Sequence, residues 1–368
     1  MDLCLIHLSD FHLRNKTALT TDKFLQSLVA DASMRIRDLD LPDPFIALSG
    51  DLAFGGREEE YALVDSFLGS LGEKLHPRKM IFCPGNHDVN WSMLSPLSSN
   101  LMNLMIESGG GSLEAVETSL ANATDREAIM NGMRPYYSFL EKHGAKVSDM
   151  PHYVESTEVA NLRLNFISLN SAYIFSQKYF YQGYVGRQQI ESAFTRLDQI
   201  GQPAFNITLV HHPLEAIAPP SQEETKKLLL QFSDVVLNGH VHSPRVSVEY
   251  TANMIGRTKQ GSPPVISCAR CVFNESNNPA VISGYSIFGI DFEYERVASV
   301  KVWEVQLDSS KGEWYHDEKK RTYPLVVKAP SARENAGTDA LPPSDHVGPK
   351  VTDAERGLLS RWKRSEQN

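Results

Sequence analysis

The sequence predicts an α/β fold built on parallel strands, and three observations carry that prediction. Leu3 to Leu8, Phe45 to Leu48 and Lys79 to Cys83 are apolar runs with the length of buried strands rather than of helices. Between them lie longer stretches with apolar residues at helical spacing, and a β-α-β-α-β order implies parallel pairing through right-handed crossovers. Each run also stops at polar residues: Ser9-Asp10-Phe11-His12, Ser49-Gly50-Asp51, and Pro84-Gly85-Asn86-His87-Asp88. Downstream, Phe205 to Val210 ends in His211-His212-Pro213, and Val235 to Leu237 ends in Asn238-Gly239-His240-Val241-His242. These runs are expected to deliver Asp, Asn and His to the same edge of one sheet, where an open α/β sheet places its chemistry.

The first crossover is Thr20 to Leu39, with Phe24, Leu25, Leu28, Val29 and Ile36 on one side and Thr21 or Asp22 as caps. The second is Arg57 to Leu71, with Tyr61, Val64, Phe67, Leu68 and Leu71 at helical spacing. Residues 91–150 leave this rhythm. Leu94, Leu97, Leu101, Leu104 and Met105 mark one amphipathic helix, which Gly109-Gly110-Gly111 breaks. Leu113, Val116 and Leu120 begin another, and Ile129, Met133, Tyr136, Tyr137 and Leu140 mark a third. Because this helical insertion directly follows Asn86, it is expected to overhang the same edge.

Leu162 to Leu169 resumes the sheet and ends at Asn170-Ser171. The aromatic-rich stretch from Tyr173 to Tyr184 has two readings: rings that stack a nucleobase, or rings that pin a loop to its scaffold. Gly186 to Ile200 reads as a helix with Ile190, Phe194 and Leu197 inward. Val246 to Tyr250, Val265 to Ser267, Tyr285 to Phe292, Ser299 to Leu307 and Thr322 to Val327 read as strands of a second, mixed or antiparallel sheet. The domain is thus expected over 1–327. Residues 328–350, rich in Pro, Ala, Ser, Gly and charge, read as a flexible linker, and 351–368 as a short terminal helix around Leu358, Leu359 and Trp362.

Composition narrows the function classes. A chain of 368 residues with 41% hydrophobic and 22% charged residues buries an ordinary globular core. Lys plus Arg number 36 against 45 Asp plus Glu, a net charge of −9, with no basic stripe of the kind that holds long nucleic acid. No apolar stretch is long enough to span a bilayer, and Met1-Asp2-Leu3 enters the first strand with no room for a cleaved signal peptide, so a cytoplasmic, membrane-free protein is expected. Of the four cysteines, Cys4 and Cys83 fall in buried strands as small hydrophobes. Cys268-Ala269-Arg270-Cys271 has a metal or redox spacing, but no second pair completes a zinc ribbon, and structural thiols are expected.

Asp10-x-His12, Gly50-Asp51, Gly85-Asn86-His87-Asp88, His211 and Gly239-His240-x-His242 resemble the five ordered motifs of the calcineurin-like metallophosphoesterases. The resemblance spans about residues 3–305. Between the motifs it is nearest the cyclic-nucleotide phosphodiesterase branch, through Gly50-Asp51-Leu52-Ala53, Gly55-Gly56 and Glu60-Tyr61. It implies a four-layer α-β-β-α sandwich around a binuclear metal centre that hydrolyses phosphoesters. Carried over residue by residue, Asp10, His12 and His242 would bind one ion and Asn86, His211 and His240 the other, with Asp51 bridging. An all-oxygen and nitrogen set suits two divalent ions such as Mn²⁺, the leading expectation, or Fe²⁺ or Zn²⁺.

The implied chemistry is attack on phosphorus by hydroxide drawn from a water shared by the two cations. His87, beside ligand Asn86 without being one, would protonate the leaving alkoxide, and Asp88 would orient it and raise its pKa. Arg14 and His212 are candidates for the substrate side, and Arg257 and Arg270 are weaker ones. The leading expectation is a phosphodiesterase for small nucleotide-like or glycerophospho-type diesters. A nuclease subunit working with a partner ATPase is the alternative, with the 91–150 insertion or the C-terminal tail recruiting the partner. A non-catalytic scaffold is the third reading, disfavoured because every motif position holds a competent donor.

Overall fold

Leu3–Leu8 and Pro44–Leu48 are buried at every position, as strands covered on both faces must be. In the computed structural model they form β1 and β2, and Lys79–Phe82 forms β3. The structure describes residues 1–14, 18–108, 113–145, 151–198, 204–242, 245–248, 265–269, 272, 282–293, 296–308, 311–316 and 321–324. All lie within Met1–Ala329, the first of two units of the chain. The expected linker over 328–350, the terminal helix over 351–368, the glycine break at 109–111, Arg257, Arg270 and Cys271 lie outside the described residues.

β1, β2 and β3 run parallel, with Leu8 opposite Leu48 and Leu48 opposite Phe82, so their carboxyl ends are flush. Helices α1 (Ala18–Asp38) and α2 (Glu58–Leu75) make the two crossovers. A second sheet holds β4 (His152–Val159), β5 (Leu162–Leu169), β6 (Ala204–Val210), β7 (Val235–Asn238), β8 (Arg245–Val248) and β9 (Val265–Cys268), in the order β4-β5-β6-β7-β9-β8. Here β5, β6, β7 and β9 are parallel, and Leu169 lies opposite Val210.

The donor-tipped runs therefore belong to two sheets, which corrects the expectation of one. Burial of a run says that both faces are covered but not which neighbours cover its edges. Both edges of β1 are already taken: β2 pairs on one side, and β10 (Gly284–Glu293) lies antiparallel on the other, with Ile6 opposite Ile287. Beyond β10 come β11 (Arg296–Asp308), then β12 (Glu313–His316) and β13 (Arg321–Pro324), both paired with β11. The late strands thus do not form a separate sheet either. β8 and β9 join the second sheet, and β10 to β13 join the first.

The two sheets face each other across an apolar layer. Phe45 packs on Phe166 with ring centroids 5.2 Å apart, the Phe82 amide donates to the Tyr153 hydroxyl, and the Cys83 thiol donates to the Leu169 carbonyl at 3.2 Å. Outside the first sheet, α1 is fixed by the Tyr285 hydroxyl on Asp31 and by Phe24 against Trp314, with centroids 5.5 Å apart. Outside the second, α7 (Arg187–Asp198) and α8 (Pro219–Phe232) bury Ile190, Phe194 and Leu229 against Ile167, Val210 and Val236. The architecture is the four-layer α-β-β-α sandwich.

Three elements escaped the sequence reading: β4, β12 and α8. β4 and β5 make a hairpin whose two-residue turn, Ala160-Asn161, has φ of +50° and +63° without a glycine, so the usual turn signal is absent. The insertion contains α3 (Pro96–Glu107), α4 (Leu113–Ala121), α5 (Ala123–Met130) and α6 (Arg134–Lys142). What reads in sequence as its third helix is divided by a 3-10 turn over Asn131–Met133, where the Gly132 carbonyl leaves the helical pattern to accept from the Asn90 amide at 2.8 Å. Phe139 of α6 stacks on Tyr61 of α2 at 5.1 Å and so ties the insertion to the first crossover layer. Among the described residues no helix is long and apolar enough to cross a membrane.

Candidate metal centre

Flush strand ends place the motif loops side by side, and backbone hydrogen bonds zip them. The loop after β1 pairs with the loop after β2 through Asp10 N to Gly50 O at 3.0 Å and Phe11 N to Asp51 O at 2.8 Å. The second sheet joins them where the His240 amide donates to Asp10 Oδ1 at 3.1 Å and His211 Nδ1 donates to the Ser49 carbonyl at 2.8 Å. Asp10, His12, Asp51, His240 and His242 all have φ between +49° and +72°. Such backbone costs about 1–3 kcal/mol per non-glycine residue and persists only where its surroundings enforce it, typically at functional sites.

The side chains converge. Asp10 Oδ1 lies 3.2 Å from His242 Nε2, and His12 Nε2 lies 3.3 Å from the same nitrogen. Asp51 Oδ2 is 3.2 Å from His211 Nε2 and 3.9 Å from His12 Nε2. Asn86 Oδ1 is 3.1 Å from His211 Nε2 and 3.0 Å from His240 Nδ1. Ligand atoms fall into groups within 4.8 Å of one another: Asp10, His12 and His242; Asp10, Asp51 and His211; and His12, Asp51 and His87.

This donor set fits divalent cations. The Ser49 carbonyl can only accept, so the His211 Nδ1 bond commits that proton and leaves Nε2 facing two oxygen acceptors. Burial opposes charge on His211, but the adjoining Asp51 carboxylate raises the imidazole to about 9. Burial also pushes the Asp10 carboxyl up, yet His242 and His211 hold it down to about 2, and Asp51 stays well below the usual range beside His211 and His87. His12 and His240 are driven down to about 3, by burial first and then by neighbouring His87 and His211 respectively. Ionised carboxylates and the neutral imidazoles of His12 and His240 are in the forms that bind metal, whereas His211, and His242, which burial opposes but Asp10 raises, would give up a proton to a cation.

Glycine is demanded where the loops approach closest. A Cβ on Gly50 would strike the His211 ring, and one on Gly85 would strike the Asp51 carboxylate.

His87 stands at the edge of the cluster. Its Nδ1 donates to the Phe54 carbonyl at 2.7 Å, and its amide donates to Asp51 Oδ1 at 2.8 Å. Asp88, expected to orient this imidazole, is turned into the backbone instead. It accepts from the amides of Gly85 at 2.8 Å, Ala53 at 3.0 Å and Leu52 at 3.3 Å, and from the Tyr61 hydroxyl at 3.1 Å. Adjacent positions in a tight 3-10 turn, Asn86–Asp88, point apart, which sequence adjacency conceals. Burial and nearby Asp51 raise the Asp88 carboxyl to about 7, against the pull of its amide donors.

Arg14 lays its guanidinium 4.2 Å from the centroid of the Phe54 ring, beside the residue whose carbonyl holds His87. His212 is fully buried, and burial pushes its imidazole well below the ordinary range. Its amide donates to Ser171 Oγ at 3.2 Å, its Nδ1 lies 2.8 Å from the same oxygen, and its Nε2 has no hydrogen-bond partner among the described residues.

The aromatic stretch lies beside the cluster, and burial of its rings agrees with the reading in which they pin the loop. Tyr173, Phe175 and Tyr184 are buried and pin it, while Tyr181 comes within 6.0 Å of the His240 ring. Ser49, Phe54, Tyr61 and Ser171 are neighbours of the centre that residue typing missed. Ser49 and Phe54 act through backbone carbonyls, which carry no sequence signal.

Among solved structures the chain is similar to a dimetal phosphatase from Danio rerio, with 11% identity, 88% of this chain and 99% of that one covered, and a TM-score of 0.48. It is also similar to the purple acid phosphatase PPD1 of yellow lupin, with 15% identity, 85% and 52% coverage and a TM-score of 0.46. A third is GAP50, the anchor in the inner membrane complex of Plasmodium, with 14% identity, 89% and 90% coverage and a TM-score of 0.44. No curated protein matches the chain. The model of the calcineurin-like phosphoesterases matches residues 5–244, a span that begins in β1 and closes just after His242. The chain belongs to the calcineurin-like phosphoesterase family, whose activity class is hydrolysis of phosphoesters.

Proposed function

We propose that the chain is a dimetal phosphodiesterase acting on small diesters, of the cyclic-nucleotide or glycerophospho type. The observation that carries the reading is the meeting of Asp10, His12, Asp51, Asn86, His211, His240 and His242, from two sheets, with ligand atoms 3–4 Å apart. Asp10, His12 and His242 would hold one divalent cation and Asn86, His211 and His240 the other, with Asp51 between them and Mn²⁺ as the leading choice for an oxygen and nitrogen set. Bound there, two cations supply an acidified water and neutralise phosphate oxygens.

The remaining work belongs to side chains. His87 keeps its Nδ1 proton on the Phe54 carbonyl, so its other nitrogen is the one that passes a proton to the departing alkoxide. Arg14, a planar donor fork held against Phe54, would pair with a phosphate oxygen. His212 offers a buried Nε2 that has no hydrogen-bond partner among the described residues. Support for diesters over monoesters is the resemblance of the stretch from Gly50-Asp51-Leu52-Ala53 to Glu60-Tyr61 to the cyclic-nucleotide phosphodiesterase branch.

The test is an assay of the Mn²⁺-loaded protein on 3′,5′-cyclic nucleotides, glycerophosphodiesters, a 4-nitrophenyl diester, phosphomonoesters and DNA. The expected result is turnover of the small diesters, and turnover of monoesters or DNA alone would overturn it. His87→Ala is expected to keep its metals and lose roughly 10² to 10⁴ in rate on alkyl diesters, with a smaller loss on the 4-nitrophenyl diester.

A further inference from the structure

His212 follows His211 directly, and its ring centroid lies 4.5 Å from that of His240, yet it is in none of the groups whose ligand atoms lie within 4.8 Å of one another. Its ring is wedged in place. Gly183 backs it so closely that a Cβ there would strike Cγ and Nδ1. That backbone is itself held, with the Gly183 amide on the Ala216 carbonyl and the Ala218 amide on the Gly183 carbonyl, both at 2.8 Å.

Protons on Ser171 decide the tautomer of this ring. Ser171 is fully buried, and its Oγ accepts from the His212 amide at 3.2 Å and lies 2.8 Å from His212 Nδ1. Were Nδ1 protonated and Nε2 bare, the hydroxyl proton and the Nε2 lone pair would both be buried without a partner among the described residues. With the hydroxyl donating to Nδ1, only the proton on Nε2 is left over. One unmet buried group costs less than two, so Nε2 carries the proton and is a donor. An imidazolium would donate from Nε2 as well, and the argument does not turn on pH.

A second donor lies beside the same ring. Asn86 Oδ1 is 3.0 Å from His240 Nδ1, and Asn86 Nδ2 is buried with no hydrogen-bond partner among the described residues. Two N–H donors therefore border His240 with nothing to accept from them, and a buried donor in that state marks the place of a ligand's acceptor. We propose that His212 Nε2–H donates to a phosphoryl oxygen of the substrate, and that Ser171 is the positioning residue that holds His212 in the donating tautomer. The inference rests on the reading of the cluster as a dimetal centre for phosphoesters.

The test uses Zn²⁺, a diamagnetic occupant of an oxygen and nitrogen donor set, and inorganic phosphate as the probe. Long-range ¹H–¹⁵N spectra are taken of the metal-free and Zn²⁺-loaded protein, with the His212 ring identified by its loss in His212→Phe. They are expected to show the Nε2-protonated tautomer in wild type and Ser171→Thr, and a mixture of tautomers in Ser171→Ala. Calorimetric titration with phosphate is expected to give an affinity roughly 10- to 100-fold weaker in His212→Phe, the effect of one hydrogen bond to a charged oxygen, and about 3- to 10-fold weaker in Ser171→Ala. Ser171→Thr, which keeps the hydroxyl, should bind phosphate as wild type does, and zinc content should be the same in all four proteins. An Nδ1-protonated ring in wild type, an unchanged phosphate affinity in His212→Phe, or loss of zinc from that variant would overturn the donor. A Ser171→Ala spectrum identical to that of wild type would overturn the role of Ser171. Should Ser171→Ala fail to fold, the wild-type tautomer and His212→Phe still decide. The choice of diester as substrate is read separately, from wild-type turnover, because phosphate affinity and tautomer do not depend on which ester is cleaved.

Discussion

His211 gives its Nδ1 proton to the Ser49 carbonyl and turns Nε2 toward Asp51 Oδ2, 3.2 Å away. A first-sheet carboxylate and a second-sheet imidazole thus face each other across the seam, each with lone pairs that a shared cation would satisfy. Asp51→Asn is expected to leave fewer than two cations per chain and to lower kcat by about 10³ or more, since several kcal/mol of charge stabilisation go with the bridge. Metal analysis of the purified variant beside its kinetics checks this, and two retained cations would remove Asp51 from the bridging position.

Asp88 holds Leu52, Ala53 and Gly85 by their amides, and so joins the loops after β2 and β3. Asp88→Asn presents an amide nitrogen to at least one of those buried donors. The expected cost is about 1–3 kcal/mol of stability, read from urea unfolding of the metal-free protein. An unchanged unfolding midpoint with reduced activity would instead return Asp88 to a direct chemical role.

Gly85→Ala would drive a methyl into the Asp51 carboxylate. The neighbouring atoms are backbone and a buried side chain, neither free to yield, so cation binding should weaken at least 10-fold while the far-ultraviolet circular dichroism stays that of the wild type. Titration of the metal-free variant with Mn²⁺ measures this.

His7 is buried on β1 with Nε2 2.7 Å from Ser49 Oγ, and burial pushes its imidazole down to about 3 from an ordinary 6.5, against the opposing pull of Asp10. Between those values the unfolded chain binds a proton that the folded chain refuses. Stability from this group is therefore complete above pH 6.5 and drains away as pH falls toward 3, by up to ~1.4 kcal/mol per pH unit. His7→Gln should flatten the pH dependence of unfolding by close to one proton between pH 4 and 6. An equally steep profile in the variant would show that other groups, His12 and His240 among them, account for the slope.

Much of this was legible one-dimensionally. Leu3 to Leu8 and Phe45 to Leu48 announce strands buried on both faces, and the helical spacing of Tyr61, Val64, Phe67 and Leu68 announces the crossover. Donor types at strand ends mark Asp10, Asp51, Asn86, His211 and His240 as a set worth bringing together. The β4–β5 hairpin was hidden because Ala160-Asn161 adopts left-handed backbone without the glycine that normally signals it.

By itself, the sequence determined the β-α-β-α-β order that opens the chain, the residues that end the motif-bearing strands, and the family, because these depend on local periodicity and on motifs read along the chain. Tertiary structure decided the rest. It split the runs between two sheets, gave Asp88 to backbone amides, gave His87 to the Phe54 carbonyl and set Phe180 against its ring. These are matters of which edges pair and which way adjacent side chains point, and a carbonyl or a packing neighbour leaves no mark in the letters of the sequence.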